Sequence, residues 1–248
     1  MNDLNNKTAL VTGGAQGIGR SIAVELAKAG ANIVVADLNR DRAEVVVSEI
    51  KAVGRQAIAV QLDVTDTASI QSVLEESIKY FSRVDILVNN AGVFFEDGEQ
   101  FDLNYEVNLK GVWQVTMAVK PHFIENKAGK IVNIASINGR RGYQPSTMAY
   151  NASKAAVINL TQSLATALGP ENINVNAVCP GAIKTPMTEK ARNDSDDPNW
   201  EGYAKEYTQL KRPVTPEDIA CAVVFFASER AKNITGQALN VDGGHFMN

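Results

Sequence analysis

A glycine-rich turn set between an apolar run and a helical repeat constrains this chain more than any other feature. Residues 8–11 form a short apolar run that leads into Thr12-Gly13-Gly14-Ala15-Gln16-Gly17-Ile18-Gly19. Ile18, Ile22 and Leu26 then fall four apart on one helical face, and Gly30 stands where a helix C′ glycine is expected. The rhythm repeats. Apolar runs at 32–36, 57–62 and 85–88 alternate with amphipathic stretches at 40–53 and 67–80. Runs that are apolar throughout, rather than alternating, read as parallel strands buried on both faces. Further strands are predicted at 130–135, 173–178 and 238–241, with helices at about 101–126, 149–168 and 215–227. The expected fold class is α/β: one domain over residues 1–248, with a doubly wound parallel sheet of about seven strands and helices on both faces. Residues 188–210 break the rhythm with a polar stretch that carries Trp200, Tyr203 and Tyr207. They predict a lid over a site at about 186–212.

Composition removes several alternatives. Apolar residues make up 45% and charged residues 21%, which excludes a disordered, collagen-like or coiled-coil chain. The net charge is −4, so no overall field draws nucleic acid or an anionic membrane. Two cysteines (Cys179, Cys221) and two histidines (His122, His245) form neither a disulfide framework nor a zinc spacing, and no metal is expected. The first residues are polar and unlike a secretory leader, and no apolar run reaches the roughly 18 residues that a membrane span needs. The expected setting is cytoplasmic.

The glycines permit a tight turn and a close backbone approach, and the following helix N-terminus carries partial positive charge. Together these suit a dinucleotide pyrophosphate. Gly13, Gln16, Gly17, Ile18 and Gly19 are the candidate contacts. Asp37 ends the second strand, where an acid hydrogen-bonds the adenosine ribose hydroxyls and repels a 2′-phosphate. No basic residue stands at Gln16 to offset that repulsion, and Arg40 is placed to soften it. The expected cofactor is NAD rather than NADP.

Tyr150 and Lys154 are four residues apart in a predicted helix and so share a face. A phenol titrates near pH 10, and a nearby ammonium lowers that value. Such a tyrosine can take a proton from an alcohol while hydride leaves its carbon. Ser136 ends the fifth strand, at the carboxyl edge where such sheets bind ligands.

In order and spacing, and over essentially the whole chain, these motifs resemble the short-chain dehydrogenase/reductase family. Thr12, Gly13, Gly17 and Gly19 match its glycine pattern, and Asn89-Asn90-Ala91-Gly92 its Asn-Asn-Ala-Gly segment. Asn108, Ser136, Tyr150 and Lys154 match its catalytic set, and Pro180-Gly181 with Ile183 and Thr185 its segment after the sixth strand. The resemblance implies a Rossmann fold with Tyr150 as general acid/base. Lys154 would lower the pKa of Tyr150 and bind the nicotinamide ribose, Ser136 would hold the substrate oxygen, and Asn108 would hold a water that relays protons to Lys154. It places Asp63 and Val64 at the adenine, Asn90 at the adenosine-side ribose or cofactor backbone, and Ile183 and Thr185 at the nicotinamide amide. It also implies a homotetramer, with the helices near 101–126 and 149–168 packing across an interface.

The substrate end is expected from Phe94, Phe95, the 137–144 loop and the lid. Asn138, Arg140 and Arg141 are its candidate substrate residues together with Ser136 and Tyr150. The loop's Gly139-Arg140-Arg141-Gly142 and the segment 179–187 resemble polyol, sugar-alcohol and vicinal-diol dehydrogenases of the family. They point to a small hydroxyl-rich substrate. An acidic or sulfonated sugar, held by one of the arginines, is an alternative. So are a 3-oxoacyl-thioester reductase using NADPH and a dinucleotide-sensing protein without catalysis. His245 reads as a polar contact or a substrate group. The Trp200, Tyr203 and Tyr207 spacing reads equally as a substrate wall or as the face of a lid helix.

Overall fold

The computed structural model describes residues 3–95, 100–142, 145–191 and 199–247. All seven predicted strands form: β1 (Thr8–Thr12), β2 (Asn32–Asp37), β3 (Ala57–Gln61), β4 (Ile86–Asn89), β5 (Gly129–Ile134), β6 (Ile173–Pro180) and β7 (Ala238–Val241). They pair in parallel in the order β3-β2-β1-β4-β5-β6-β7. The chain winds outward from β1 to β3, returns to β4 beside β1, and then winds the other way. A crevice therefore opens at the carboxyl ends of β1 and β4, where the winding reverses.

Side-chain alternation splits the apolar runs between two cores. Ala9, Val11, Ile33 and Val35 face α1 (Gly17–Lys28), α2 (Arg40–Ala52) and, later in the chain, α9 (Pro216–Ala227), where Ile22, Leu26, Val46, Ile50, Val223 and Phe226 pack. Leu10, Val34 and Leu87 face the opposite layer of α3 (Thr67–Phe81), α5 (Val112–Glu125) and α6 (Met148–Leu168), with Val73, Val119, Phe123 and Leu164. Every residue of β1 is buried because both of its neighbours are apolar layers. The helix starts carry their own caps: Asn39 accepts from Arg42 N at 2.9 Å, Asp66 from Ala68 N at 2.9 Å, and Thr215 and Asp218 form a reciprocal capping box.

Two stretches differ from expectation. The helix predicted over 101–126 is interrupted. It consists of α4 (Phe101–Tyr105), a π-helical turn over Glu106–Gly111, and α5. A Cβ at Gly111 would lie 2.8 Å from Val64 Cγ2, so the turn sits tightly against the end of β3. The lid stretch contains α7 (Pro186–Ala191) and α8 (Trp200–Tyr207), and residues 192–198 lie outside the described residues. The chain after α8 is tied to the C-terminal segment, since Gln209 N and Leu210 N both donate to Gly243 O at 3.0 Å. Among the described residues, no helix is long and apolar enough to cross a membrane.

A buried polar ladder fixes the two central strands against the helices beside them. Asn89 Nδ2 donates to Asn133 Oδ1 at 2.8 Å and to Thr116 Oγ1 at 3.1 Å, and Asn133 Nδ2 donates to Thr161 Oγ1 at 2.9 Å. Asn133 is fully buried, so removing its amide strands polar partners away from water. Asn133→Ala is expected to lower the unfolding free energy by about 1–3 kcal/mol in urea titrations.

Candidate active site

The glycine turn is held by contacts that only glycine allows. Gly13 and Gly17 have φ of +61° and +53°. A Cβ at Gly13 would lie 2.8 Å from Ala91 Cα, and one at Gly19 would overlap the Gly13 carbonyl oxygen. Asn90 Nδ2 donates to Thr12 O at 3.1 Å and Gly13 O at 2.9 Å, while Thr12 Oγ1 accepts from the Asn90 and Ala91 amides at 3.0 Å. The Asn90 side-chain amide thus braces the turn, and the residue lines the cleft.

That cleft is a cavity of about 260 Å³, lined by Gly13, Gln16, Asp37, Asp63, Val64 and neighbouring residues. Asp37 does not cap α2. Its Oδ2 accepts from Ala15 N at 3.0 Å and its Oδ1 from Asn39 N at 3.0 Å, so the carboxylate steadies the turn from the β2 side. The arginine near the turn is Arg42, which donates to Gln16 Oε1 at 3.0 Å. Arg40 instead lies 3.9 Å from Glu44. Asp63 Oδ1 accepts from the amide and hydroxyl of Thr65 at 2.8 and 2.7 Å, and Val64 is buried against the π-turn.

The cleft continues into a smaller cavity of about 100 Å³. Ile18, Asn90 and Thr185 line both, and Ser136, Tyr150, Lys154 and Ile183 complete the second. Tyr150 and Lys154 stand one turn apart on α6, with Lys154 Nζ 5.8 Å from the Tyr150 ring centroid. Lys154 is 5% exposed and donates to Ile134 O at 2.9 Å. The Phe94 ring meets Tyr150 edge-on at 4.7 Å. Burial pushes the Tyr150 phenol up to about 12, and its hydrogen bond with Ser136 pulls the other way. Burial also pushes the Lys154 ammonium down to about 8. Desolvation therefore sets the net direction at Tyr150.

Asn108 is fully buried inside the π-turn, and its amide is occupied. Oδ1 accepts from Val93 N at 2.8 Å, and Nδ2 donates to Val93 O at 2.9 Å, Ser153 Oγ at 3.1 Å and Asn104 Oδ1 at 3.2 Å. These bonds fix the strand-end segment carrying Gly92 and Val93. Ser153 links it onward by donating to Tyr150 O at 2.7 Å. Gly92 is a further residue of the site: a Cβ there would lie 3.0 Å from Asn108 Oδ1 and 3.6 Å from Lys154 Nζ. Nothing in sequence spacing signals either role.

The substrate candidates separate. Asn138 lies in a tight turn (Ile137–Gly139), and its amide donates to Ser136 Oγ at 3.1 Å. Arg140 is not among the described residues that line the cavity; its Nη2 donates to Ala238 O, and its guanidinium lies beside the buried Cys179 thiol. Arg141 is exposed, and Tyr143 and Gln144 lie outside the described residues. His245 stacks with Tyr203 and Tyr207 at 5.9 and 6.0 Å between ring centroids, which puts both tyrosines on a face of α8 that meets the C-terminal segment. His122 Nε2 accepts from Val84 N at 3.1 Å, an ordinary packing contact.

Comparison with known proteins agrees with this geometry. A family model described as Enoyl-(Acyl carrier protein) reductase matches residues 13–245. The chain is 39% identical to Oxidoreductase UcpA of Salmonella typhimurium, over 98% of this chain and 96% of that one. It is 41% identical to 3-oxoacyl-[acyl-carrier-protein] reductase FabG of Staphylococcus epidermidis, over 98% and 100%. Levodione reductase superposes with a TM-score of 0.91 at 29% identity, over 97% of each chain. A short-chain dehydrogenase/reductase from Mycobacterium marinum gives a TM-score of 0.92 at 31% identity, over 99% and 98%. The chain belongs to the short-chain dehydrogenase/reductase family and is an oxidoreductase of CH–OH groups that works with a nicotinamide cofactor.

The buried pair leaves a signature in stability. Lys154 titrates at about 8 when folded and at its ordinary 10.5 when unfolded, so between those values the unfolded chain binds the extra proton and stability rises with pH. At neutral pH the buried ammonium costs on the order of 3 kcal/mol. Lys154→Met is expected to flatten that alkaline rise in urea titrations of the protein without cofactor. A rise equal to that of the original protein would show that Lys154 keeps its ordinary value.

Proposed function

We propose that the protein oxidises a neutral secondary alcohol of a polyol, sugar or diol with NAD, and reduces the matching ketone, with Tyr150 as the proton-transfer group. The observation that carries this reading is one continuous cleft with Asp37 and the glycine turn at one end and Ser136, Tyr150 and Lys154 at the other. The cradle fits a dinucleotide. Side chains at Gly13 or Gly19 would collide with the turn and the segment after β4 that shape it, while Gln16, Gly17, Ile18, Asp63 and Val64 flank the adenosine half and Ile183 and Thr185 the nicotinamide half. When bound, the nicotinamide ring supplies or accepts the hydride.

The chain's own residues do the rest. Ser136 Oγ holds the substrate oxygen beside the Tyr150 hydroxyl. Tyr150 takes the hydroxyl proton in oxidation and returns it in reduction. Lys154 supplies positive charge behind the phenol and holds the ribose, and Asn108 keeps Gly92 and Val93 clear of it. Asp37 carries the preference for NAD, since its anion disfavours a 2′-phosphate. Among the described residues that line the reacting cavity, the one charged side chain, Lys154, is turned to the Ile134 carbonyl, and no arginine lines the cavity to pair with an anionic substrate group. With Arg140 turned away, the acidic-sugar alternative loses its clearest ligand. The lid spans about 186–212. Phe101, Trp113 and Met148 on the α4–α5 and α6 surfaces are 52%, 47% and 69% exposed, and this supports a homotetramer in which a second copy covers them. The FabG similarity favours a second reading, a 3-oxoacyl-thioester reductase drawing on NADPH.

A turnover panel of neutral polyols, diols, sugars and a 3-hydroxyacyl thioester, each with NAD and NADP, separates the two. Turnover of a polyol, sugar or diol with NAD is expected, and preference for the thioester with NADP would overturn the reading. Tyr150→Phe is expected to cut turnover by at least about a hundredfold while leaving NAD affinity within about twofold. Direction follows from the phenol. Because burial holds Tyr150 protonated at neutral pH, ketone reduction should already be fast at pH 7, whereas alcohol oxidation should climb as the pH is raised toward 10. Parallel pH–kcat profiles in the two directions check this, and an oxidation rate independent of pH would contradict it.

A further inference from the structure

Ser136 is the first residue of a five-residue bend whose far end is fastened to β7 and which lies over one buried sulfur. The bend runs from Ser136 through the tight turn Ile137–Gly139 to Arg140, and it closes on itself: Gly139 N donates to Ser136 O at 3.0 Å and Arg140 N to Ile137 O at 3.0 Å. Beneath it lies Cys179 of β6, fully buried. The Cys179 sulfur lies beside both ends of the bend, next to the Ser136 main chain and the Arg140 guanidinium. Arg140 Nη2 donates to Ala238 O on β7. On its other side the bend rests directly on α6, because a Cβ at Gly139 would lie 2.6 Å from the Lys154 main-chain carbon. The bend is thus held between the helix that carries Tyr150 and Lys154 and the strands β6 and β7.

The arrangement is costly, which argues that it does more than fill space. Arg140 Nε is buried without a hydrogen-bond partner. A buried, unsatisfied donor on a charged group is retained only where the rest of the group makes strong contacts. A thiol is a weak acceptor, and the charged guanidinium is the donor that makes the most of it. Burial raises the Cys179 pKa, so the sulfur stays a neutral thiol, and the pair acts as a tether rather than as a salt bridge.

We propose that Arg140 is a positioning residue for Ser136: with Cys179 as the shared anchor, its guanidinium pins the Ser136–Arg140 bend so that the Ser136 hydroxyl stays in register with Tyr150. The proposal rests on the reading of Ser136 and Tyr150 given above. It replaces a substrate role for Arg140 with a role exerted through Ser136. Its consequence is specific, because the Ser136 hydrogen bond opposes the upward push of burial on Tyr150. The titratable groups facing Tyr150 are Lys154 on its own helix and Cys179 on β6, with Arg140 behind Cys179. Loosening the bend weakens the Ser136 bond and leaves those groups in place, so the phenol should become harder to deprotonate.

The test is a double-mutant cycle read as pH–kcat profiles for alcohol oxidation, using the original protein, Arg140→Met, Ser136→Ala and the pair. Arg140→Met is expected to lower kcat at pH 8 roughly tenfold and to move the rising limb toward higher pH, as Ser136→Ala does, with NAD affinity within about twofold of the original. In the Ser136→Ala background Arg140→Met should add almost nothing, because both act on one bond. Cys179→Ala, which removes the anchor but keeps the charge, should move the limb the same way by less, and it stands in if Arg140→Met does not fold. Losses that add in the double variant, or a uniform drop in kcat with no displacement of the limb, would overturn the proposal. So would a rise in KM confined to acidic substrates, which would return Arg140 to substrate binding. A Tyr150→Phe control that keeps its turnover would instead remove the reading of the site itself, independently of Arg140.

Discussion

The close approach of Gly13, Gly19 and Asn90 at the point where the sheet changes its winding direction is the contact on which the rest of the structure depends. The end of β1, the start of α1 and the segment after β4 meet there with no room for a side chain. Asn90 spans the junction with two hydrogen bonds to main-chain carbonyls, and Thr12 returns two from the other side. Their joint effect is to point the first turn of α1 into the crevice and to fix where Gly92 and Val93 leave the sheet. Asn108 then takes up Val93 through its amide and passes the constraint by Ser153 to the main chain of Tyr150. A continuous run of short polar contacts therefore links the turn to the tyrosine.

The strands were legible in the sequence for a simple reason. Each lies between two apolar layers, so Ala9-Leu10-Val11 or Ile33-Val34-Val35 must be apolar at every position, and a short uninterrupted run of β-branched residues fits little besides a doubly covered strand. The helices were legible by their period and caps. What was not legible is set by contacts far apart in the chain. The π-turn over Glu106–Gly111 is a matter of one extra residue in a helix whose apolar period continues on both sides, and the residue that confines it, Val64, belongs to another part of the chain. Spacing likewise could not say which arginine reaches the glycine turn. Arg40 is nearer to Asp37 in sequence, but α2 begins at Arg40 and carries Arg42 round to face Gln16. An arginine pair in a polar loop reads as anion-binding, and the groups beside which Arg140 turns inward, Ala238 and Cys179, are distant in sequence.

The candidate site divides in the same way. Its residue types were legible because the chemistry demands them. A proton-transfer group, a nearby cation and a turn that tolerates a pyrophosphate leave few choices at these spacings. Their energetics were not legible, because a pKa depends on desolvation and desolvation depends on packing. Spacing alone suggests that Lys154 eases ionisation of Tyr150. The packed site shows both groups pushed toward their neutral forms by burial.

That opposition carries a physical argument about how such a site is held ready. A protonated phenol and a reluctant ammonium, both enclosed by apolar surface, are poor partners in water-like surroundings but strongly responsive in dry ones, where each nearby charge or dipole counts for more. Small placements therefore have large effects. The Ser136 hydroxyl, the Ile134 carbonyl on Lys154 and the edge of Phe94 are the polar and aromatic groups that bias the pair. The fold fixes these neighbours: Gly139 is pressed against the Lys154 backbone, Asn108 is locked to Val93 and Ser153, and the bend after Ser136 is fastened to β7 through Arg140. A site whose groups are this far from their ordinary titration needs its surroundings fixed to fractions of an ångström, and the density of tethers around Tyr150 meets that need.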